Sequence, residues 1–421
     1  MLLTVSLGSL LALIVLGIPI GFALITAATL GLLLFSSTPP QILALQTFSN
    51  LNSFPLLAVP LFILGGNLLL RSGLAQSLIE SAEAWVGHLR GGLAIGAVLA
   101  SIFFAAITGS SAAEAAAVGT VLLPSMKQVG YPVRFSGALI AAAGGLGLLI
   151  PPSLTMILFG SLAQFPVGTL FIAGIVPGVL SGVALAFFAA YLSRRMGLGS
   201  GEPFRWRRAF LSLRKAAPAL LIPVIVIGGI YGGYFTPTEV AVVVVFYAVA
   251  VGVAQRKLTF PLLYRVLAES LRMTTMIFTL FIGSKLLGLV LTQGQVPQHL
   301  LSLLLSHGVG KWHFLLMLNV ALLLMGMFVD GLSLLLISLP LVLPLAQHFG
   351  IPLAHLAVIM TMNIEIGVLT PPVGLNLYVV SSIADVSMET LSRALLPFWL
   401  LLLGLLLLVT YVPALSLVLV R

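Results

Sequence analysis

The chain has no cysteine in its 421 residues, so disulfides, thiolate metal sites and cysteine nucleophiles are excluded. Charge is the next scarcity: Asp, Glu, Lys and Arg make up 7% of residues, against roughly 25% in ordinary soluble domains. With 60% hydrophobic residues and a mean hydropathy of +1.22, the chain cannot clothe a normal globule in polar surface. No G-x-S-x-G or H-E-x-x-H motif occurs, and no histidine falls in the centre of an apolar run. His88, His299, His307, His313, His348 and His355 read as interfacial residues, so an intramembrane hydrolase has no dyad or metal site and the chain is not expected to be an enzyme. The short alternating segments of a β-barrel are missing too. What remains is an all-α polytopic membrane protein. No cleavable signal pattern is apparent, and the N-terminus reads as the first span.

The apolar sequence is interrupted in a telling way. A membrane crossing needs about 20 apolar residues, because the hydrocarbon core is about 30 Å thick and a helix rises about 1.5 Å per residue. The stretch GSSAAEAAAVG, Gly109 to Gly119, lies between two apolar half-spans too short to cross. Backbone leaves a helix at membrane depth only where protein or a water-filled cavity surrounds it. The pattern therefore predicts a re-entrant helical hairpin over about 93–124. The next run, Phe135 to Phe165, would make a helix of about 47 Å if unbroken. Ile150-Pro151-Pro152-Ser153 interrupts it, and a proline pair removes two donors and drives the preceding backbone out of the helix. A broken helix is predicted over about 135–165.

Around these elements lie two spans parted at Gly17-Ile18-Pro19, a surface stretch from Pro39 to Asn52, a span from Phe54 to Leu70 and another from Thr169 to Leu192. The amphipathic stretches Leu74 to Trp85, Phe204 to Lys215 and Leu258 to Arg272 read as interfacial braces.

After the basic stretch FRWRRAFLSLRK the pattern starts again. Pro344, Gly350, Pro352, Gly367, Pro371, Pro372 and Pro397 each lie 220 residues beyond Pro124, Gly130, Pro132, Gly147, Pro151, Pro152 and Pro177. An ungapped register of this kind indicates internal duplication. It divides the chain into a first repeat (1–193), a basic cytoplasmic linker (194–216) and a second repeat (217–421). The second repeat is expected to hold a hairpin at about 314–344 and a broken helix at about 356–383. If the linker is cytoplasmic, walking the spans outward places sixteen of the 19 basic residues inside, with Lys311 and Arg421 outside and Lys285 within a span. That bias obeys the positive-inside rule, so the net charge of +9 is a topology signal and not a nucleic-acid surface. Both termini are then periplasmic and the two hairpins open to opposite sides. Such inverted repeats suit an alternating-access secondary transporter.

Two hairpin tips and two broken helices are thereby brought towards one point at the midplane, where free amides suit an anion and free carbonyls a cation such as sodium. Thr108, Ser110, Ser111, Ser153 and Thr155 offer hydroxyls in the first repeat; Asn363, Thr370 and Asn376 offer amide or hydroxyl groups in the second. Gly109, Gly147, Gly331, Gly367 and Gly374 let backbone approach. Ser110 aligns with Asp330 and Ser111 with Gly331. Four ionisable residues sit at membrane depth, namely Glu114, Lys285, Asp330 and Glu365, each costing roughly 2.5–3.5 kcal/mol at a helix centre. Asp330 is at a hairpin tip. Glu114 and Glu365 are candidate proton carriers, and Lys285 is a candidate partner for an acid.

GSSAAEAAAVGTVLLPSMKQVGY, AAAGGLGLLIPPS, GMFVDG, NIEIGVLTPPVGLNLYV and the closing LLPFWLLLLGLLLLVTYVPALSLVL resemble the large membrane subunit, DctM type, of tripartite ATP-independent periplasmic (TRAP) transporters, essentially end to end. The resemblance implies a bacterial inner-membrane permease working with a small DctQ-type membrane subunit and a periplasmic substrate-binding protein. It implies sodium-driven uptake of an organic acid by an elevator movement, without ATP or any other cofactor. By position it implies sodium near Ser110, Ser111, Gly147, Pro151, Asp330, Gly331, Gly367, Thr370, Pro371 and Asn376, leaving Thr108, Ser153, Thr155, Asn363 and Gly374 for the substrate. A stand-alone sodium- or proton-coupled anion carrier of related hairpin architecture is the competing expectation.

Overall fold

Backbone at membrane depth has no water to bond to, and the chain answers with helix almost throughout. The computed structural model describes residues 1–36, 38–198 and 204–420; Arg421 and residues 199–203 of the expected linker lie outside the described residues. Among the described residues there is no strand, and seven helical segments are long and apolar enough to cross a membrane.

Helices α1 (Leu2–Val15) and α2 (Ile20–Phe35) form a tight pair in which Ser6 lies against Gly31. The stretch 39–52, expected as plain surface, is largely the helix α3 (Pro40–Leu51), started by a proline at its first position, where the missing N–H would have had no partner. It is held by Leu43, which is buried with Leu286 and Val290. A 3-10 turn (Phe54–Leu57) leads into α4 (Ala58–Arg71), and α5 (Leu74–Val86) buries Leu74, Leu78, Ile79 and Ala82 on one face, as its spacing predicts. The first hairpin is α6 (Gly92–Thr108) and α7 (Ser111–Gln128). α7 runs a turn past Pro124, because one lost helix bond is outweighed where the next turn packs, here through fully buried Met126. α8 (Val133–Gly144), a 3-10 turn (Gly145–Leu148) and α9 (Leu154–Ala163) make the first broken helix, and α10 (Val167–Arg195) crosses beside it.

The second half begins with α11 (Trp206–Tyr231), α12 (Pro237–Ala254), α13 (Phe260–Gln293) and α14 (Val296–Ser306). Two expected braces are not separate segments: Trp206 to Lys215 opens α11, and Phe260 to Arg272 opens the 34-residue α13, about 51 Å long. Continuing a helix satisfies each new donor at once, and no proline or glycine stands between Arg272 and Phe281 to stop it. α12 is started by a reciprocal cap in which Thr236 and Glu239 bond each other's backbone amides, with Pro237 between them. The second hairpin is α15 (Lys311–Gly326) and α16 (Gly331–His348), followed by the broken helix α17 (Leu353–Gly367) and α18 (Leu375–Ala384), then α19 (Met388–Tyr411) and the short α20 (Ala414–Leu417).

Helices α1–α5 and α11–α14 pack mainly with one another as an outer frame, while α6–α10 and α15–α20 form an inner body. α8 and α17 are its centre: every residue from Phe135 to Gly144 and from Ala354 to Gly367 is buried. Phe398 of α19 binds this centre together, meeting the rings of Phe135 and Phe188 at 5.9 and 5.6 Å. One expectation fails here. His355 is not an exposed interfacial residue: α19 and α20 fold over the start of α17, and its ring is buried between Ser416 Oγ (3.1 Å) and the carbonyl of Thr410 (3.3 Å).

Gly174 of α10 faces the first break so closely that an added Cβ would stand 2.5 Å from the carbonyl oxygen of Leu149. Gly174→Ala should therefore push α10 off the broken helix, costing about 1–3 kcal/mol. A lower apparent unfolding midpoint in detergent is expected, and an unchanged midpoint would contradict this packing.

Candidate functional site

At the first hairpin tip, α6 ends at Gly109 with φ +59°, a left-handed conformation that L side chains adopt only with strain. The chain turns into Ser110, the extended residue preceding α7. A Cβ on Gly109 would lie 2.6 Å from the carbonyl oxygen of Pro152, so the tip rests directly on the break of the first broken helix. That break is organised by Ser153. Its hydroxyl donates to the carbonyl of Leu148 (2.5 Å) and accepts from the amide of Met156 (3.3 Å), closing one half-helix and opening the next. Thr108 is similarly occupied, bonding back to Phe104 O at 3.2 Å. Thr155 differs: its hydroxyl is buried with no hydrogen-bond partner. Ser111 is buried and Ser110 half-buried beside a cavity of about 30 Å³ lined also by Gly66, Asn67 and Met273.

The second tip docks on the second break in the same manner. Gly326 and Gly367 touch backbone to backbone, each leaving room for a Cβ only 3.0 Å from the other's Cα. The amide of Val373 donates to Met327 O (3.1 Å), and Gly331 lies against Ile364. Asp330 caps α16, its carboxylate accepting from the Ser333 amide at 3.1 Å. Asp330 and Ser333 also line a cavity of about 320 Å³ with Gly21, Thr275 and Thr279. Thr370 Oγ1 donates to Ile366 O (2.7 Å) and receives the Trp399 indole N–H (3.0 Å). The peptide bonds Pro151–Pro152 and Pro371–Pro372 are both cis.

The two breaks meet each other. Asn376, after the second break, donates to the carbonyl of Ala141 in α8 at 3.3 Å, while its own carbonyl oxygen is buried without a partner. Glu365 lies against Gly145 and Glu114 against Gly147, two glycines of one 3-10 turn. Both carboxyl groups are fully enclosed, and none of their oxygens makes a hydrogen bond of ordinary geometry; the Ser101 hydroxyl and the Gly147 backbone are polar groups that face Glu114. Neither acid has an ion-pair partner among the described residues. Lys285 does not provide one: its ammonium reaches the carbonyl of Leu162, at the C-terminal end of α9, at 3.4 Å.

Ser110, Gly147 and Pro152 thus form one cluster and Asp330, Gly331 and Gly367 another, joined through Asn376. Both tips face α13, one at Met273 and the other at Thr275 and Thr279, a stretch of about 9 Å. Asn363 stands apart. Its amide donates to Asn319 Oδ1 (2.8 Å), which in turn bonds Thr410 (3.0 Å), a buried polar chain that fastens α15, α17 and α19. Asn67, Ser101, Asn319 and Trp399 were not anticipated. Asn67 and Asn319 are lone amides in apolar runs, which was signal enough, whereas Ser101 and Trp399 acquire meaning only from their neighbours.

Residues 7–415 match the family described as "Tripartite ATP-independent periplasmic transporter, DctM component". The chain is similar to the C4-dicarboxylate TRAP transporter large permease protein DctM of Pseudomonas aeruginosa, 41% identical over 93% of this chain and 92% of that protein. It is also similar to the isethionate TRAP transporter permease protein DctMQ of Oleidesulfovibrio alaskensis, at 38% identity over 95% of this chain and 64% of the longer relative. The crystal structure of the YdaH transporter of Alcanivorax borkumensis superposes with a TM-score of 0.62, covering 89% of this chain and 88% of that one. At 17% identity that likeness is one of fold.

The tip geometry is directly testable, since the chain lacks cysteine and a single introduced thiol has no background. Gly109→Ala adds backbone strain of about 1–2 kcal/mol and a clash with Pro152 O. In that background Thr155→Cys should react with a small thiol reagent clearly faster than Thr155→Cys alone; equal rates would mean that the tip does not seal the break.

Proposed function

The chain belongs to the DctM family, the large permease component of tripartite ATP-independent periplasmic transporters, and from that premise we propose that it imports an organic acid across a bacterial inner membrane on a sodium gradient. The observation that carries the reading is the double docking just described. Each re-entrant tip rests on a proline-broken helix, and the two assemblies abut through Asn376 and face the same stretch of α13. Such elements present free amides to an anion and free carbonyls and hydroxyls to a cation.

The inverted-repeat organisation belongs to this proposal, with repeats over 1–193 and 217–421 about the linker 194–216. Its support is the spacing of equivalent helix starts: Ser111 and Gly331 are 220 residues apart, Val133 and Leu353 220, Leu154 and Leu375 221, Val167 and Met388 221. In the proposed cycle the inner body carries substrate and ions between the faces, as an elevator, while the frame stays in place. Sodium is assigned to Ser110, Ser111, Gly147, Pro151, Asp330, Gly331, Gly367, Thr370, Pro371 and Asn376, and the substrate to Thr108, Ser153, Thr155, Asn363 and Gly374. Thr155, Asn363 and Asn376 hold buried oxygens still open to a ligand, although the Asn363 amide already bonds Asn319, whereas Thr108 and Ser153 already bond the protein.

The partners proposed are a periplasmic binding protein and a DctQ-type small subunit; the longer DctMQ relative, 64% of which this chain spans, supports the second. An organic anion as substrate is supported by relatives named for C4-dicarboxylate and isethionate. The positive-inside bias supports a cytoplasmic linker and periplasmic termini. The enclosed Glu114 and Glu365 favour a second reading, in which protons are coupled as well.

Asn caps a helix about as well as Asp. Asp330→Asn should therefore keep folding and insertion intact while lowering sodium-driven uptake at least tenfold, measured in proteoliposomes with both partners present; wild-type uptake would remove Asp330 from the site. Sodium and pH gradients imposed separately on the unmodified transporter decide the coupling. Uptake driven by sodium alone is expected. A response to pH alone would transfer the role to Glu114 and Glu365, and uptake without the binding protein would favour a stand-alone carrier.

A further inference from the structure

The start of α11 combines features that neither water nor hydrocarbon accommodates. Trp206, Phe210 and Leu211 are 64%, 58% and 51% exposed, interleaved with exposed Arg205, Arg207, Arg208, Arg214 and Lys215. A helix that offers bulky apolar groups and cations together is matched to the headgroup zone of a bilayer. Here the surface is also folded into a receptacle. Trp85 of α5 gathers Phe204 and Phe210 at ring distances of 6.1 Å, Phe204 packs on Trp206 at 4.8 Å, and His88 closes on Phe204 at 4.7 Å. Against this aromatic wall lie two adjoining cavities that share Arg205 and Arg208. One of about 290 Å³ reaches Ser125 and Gln128 of α7; the other, of about 440 Å³, reaches Arg207, Ser212 and Lys215.

The charges facing the receptacle are Arg205, Arg207, Arg208 and Lys215 from α11 and its cap, opposed by Glu80 and Glu83 from α5. Burial pushes the Glu83 carboxyl up and the Arg208 guanidinium draws it back down, so Arg208 is engaged with that acid. Glu80 accepts from Gln76 at 3.2 Å. The balance is cationic, walled by aromatic rings, and open beside an exposed apolar helix face.

We propose that this double receptacle binds the phosphate headgroup of an anionic phospholipid, with the acyl chains along Trp206, Phe210 and Leu211. Because Ser125 and Gln128 belong to the hairpin arm α7 while Arg205 and Arg207 belong to the frame, the bound headgroup bridges frame and body. This goes beyond the transport reading and does not depend on which solute is carried.

Trp85 and Trp206 are two of the four tryptophans, so contact-range quenching of the full chain by brominated lipid reads the site directly. In nanodiscs of brominated phosphatidylglycerol diluted into phosphatidylcholine, quenching should saturate at a lower mole fraction than with brominated phosphatidylcholine. Arg205→Gln with Arg207→Gln should shift that saturation about twenty-five-fold, at about a factor of five for each interfacial charge. Arg205→Lys with Arg207→Lys should retain most of the preference, which guards against a merely misfolded double variant. Arg194→Gln with Arg195→Gln, an equal loss of charge away from the receptacle, should leave it nearly unchanged. Equal shifts from the two glutamine pairs would mean diffuse attraction and overturn the site, as would equal quenching by the two lipids. Competition by millimolar glycerol phosphate as effective as that by the lipid would assign the receptacle to a soluble phosphate instead.

Discussion

The constraint on which the rest of this molecule depends is that backbone polar groups inside a membrane must be satisfied by the protein itself. Four helix interruptions lie in the inner body, and at three of them the substitute partner can be named. Ser153 closes one half-helix and opens the next with a single hydroxyl. Asp330 does the corresponding duty at the second hairpin tip. The amides of Val373 and Asn376 find Met327 O and Val368 O across the second break, both at 3.1 Å. Glycines are placed where backbone must rest on backbone: Gly109 on Pro152 and Gly326 on Gly367. Interruption and docking are thus one feature, because a tip without its broken helix would leave orphaned donors in hydrocarbon.

The same accounting isolates what is not satisfied. Among the buried groups without partners are the oxygens of Thr155 and Asn376 and both carboxyls, Glu114 and Glu365. These four lie at the two breaks and beside the 3-10 turn Gly145–Leu148, while others, such as Ser6, Tyr131 and Ser181, lie elsewhere among the described residues. A buried polar group left unpaired costs about 1–3 kcal/mol, and a buried unpaired anion far more. Native proteins retain such groups where something else completes them. The side-chain oxygen of Asn363 is unpaired as well, although its amide is taken up by Asn319.

The hairpins and breaks were legible in the sequence because glycine, proline and serine act locally: a Pro-Pro pair ends a helix whatever surrounds it, and a half-span is too short in any context. Gly367 and Pro371 could be read by their register with Gly147 and Pro151 for the same reason. What escaped had two sources. The amphipathic opening of α13 joins the following span because no proline or glycine stands between Arg272 and Phe281, a local absence that its amphipathic pattern masked. His355 looked interfacial because it lies outside the centre of an apolar run, yet α20 returns from some sixty residues away to cover it, with Ser416 as the partner. Asp330 was read as a site residue from its depth; that it also caps α16 is visible only once the helix start is known to within one residue.

Within the body, elements meet through glycine contacts that leave no room for a methyl group, as Gly147 against Glu114 and Gly331 against Ile364 illustrate. Between body and frame the fit is uneven. Gly66 of α4 sits 3.1 Å, measured from an ideal Cβ, from the carbonyl of Ile107, so the first tip is held closely, with only about 30 Å³ beside it. The second tip leaves about 320 Å³ between Asp330 and the α2–α13 wall. Close packing resists displacement and poorly filled seams yield first. The two tips share the α13 wall and differ in how tightly they are pressed to it. Asn376, donating to the Ala141 carbonyl, links the two broken helices on which the tips rest, so both contacts with the wall belong to one connected body.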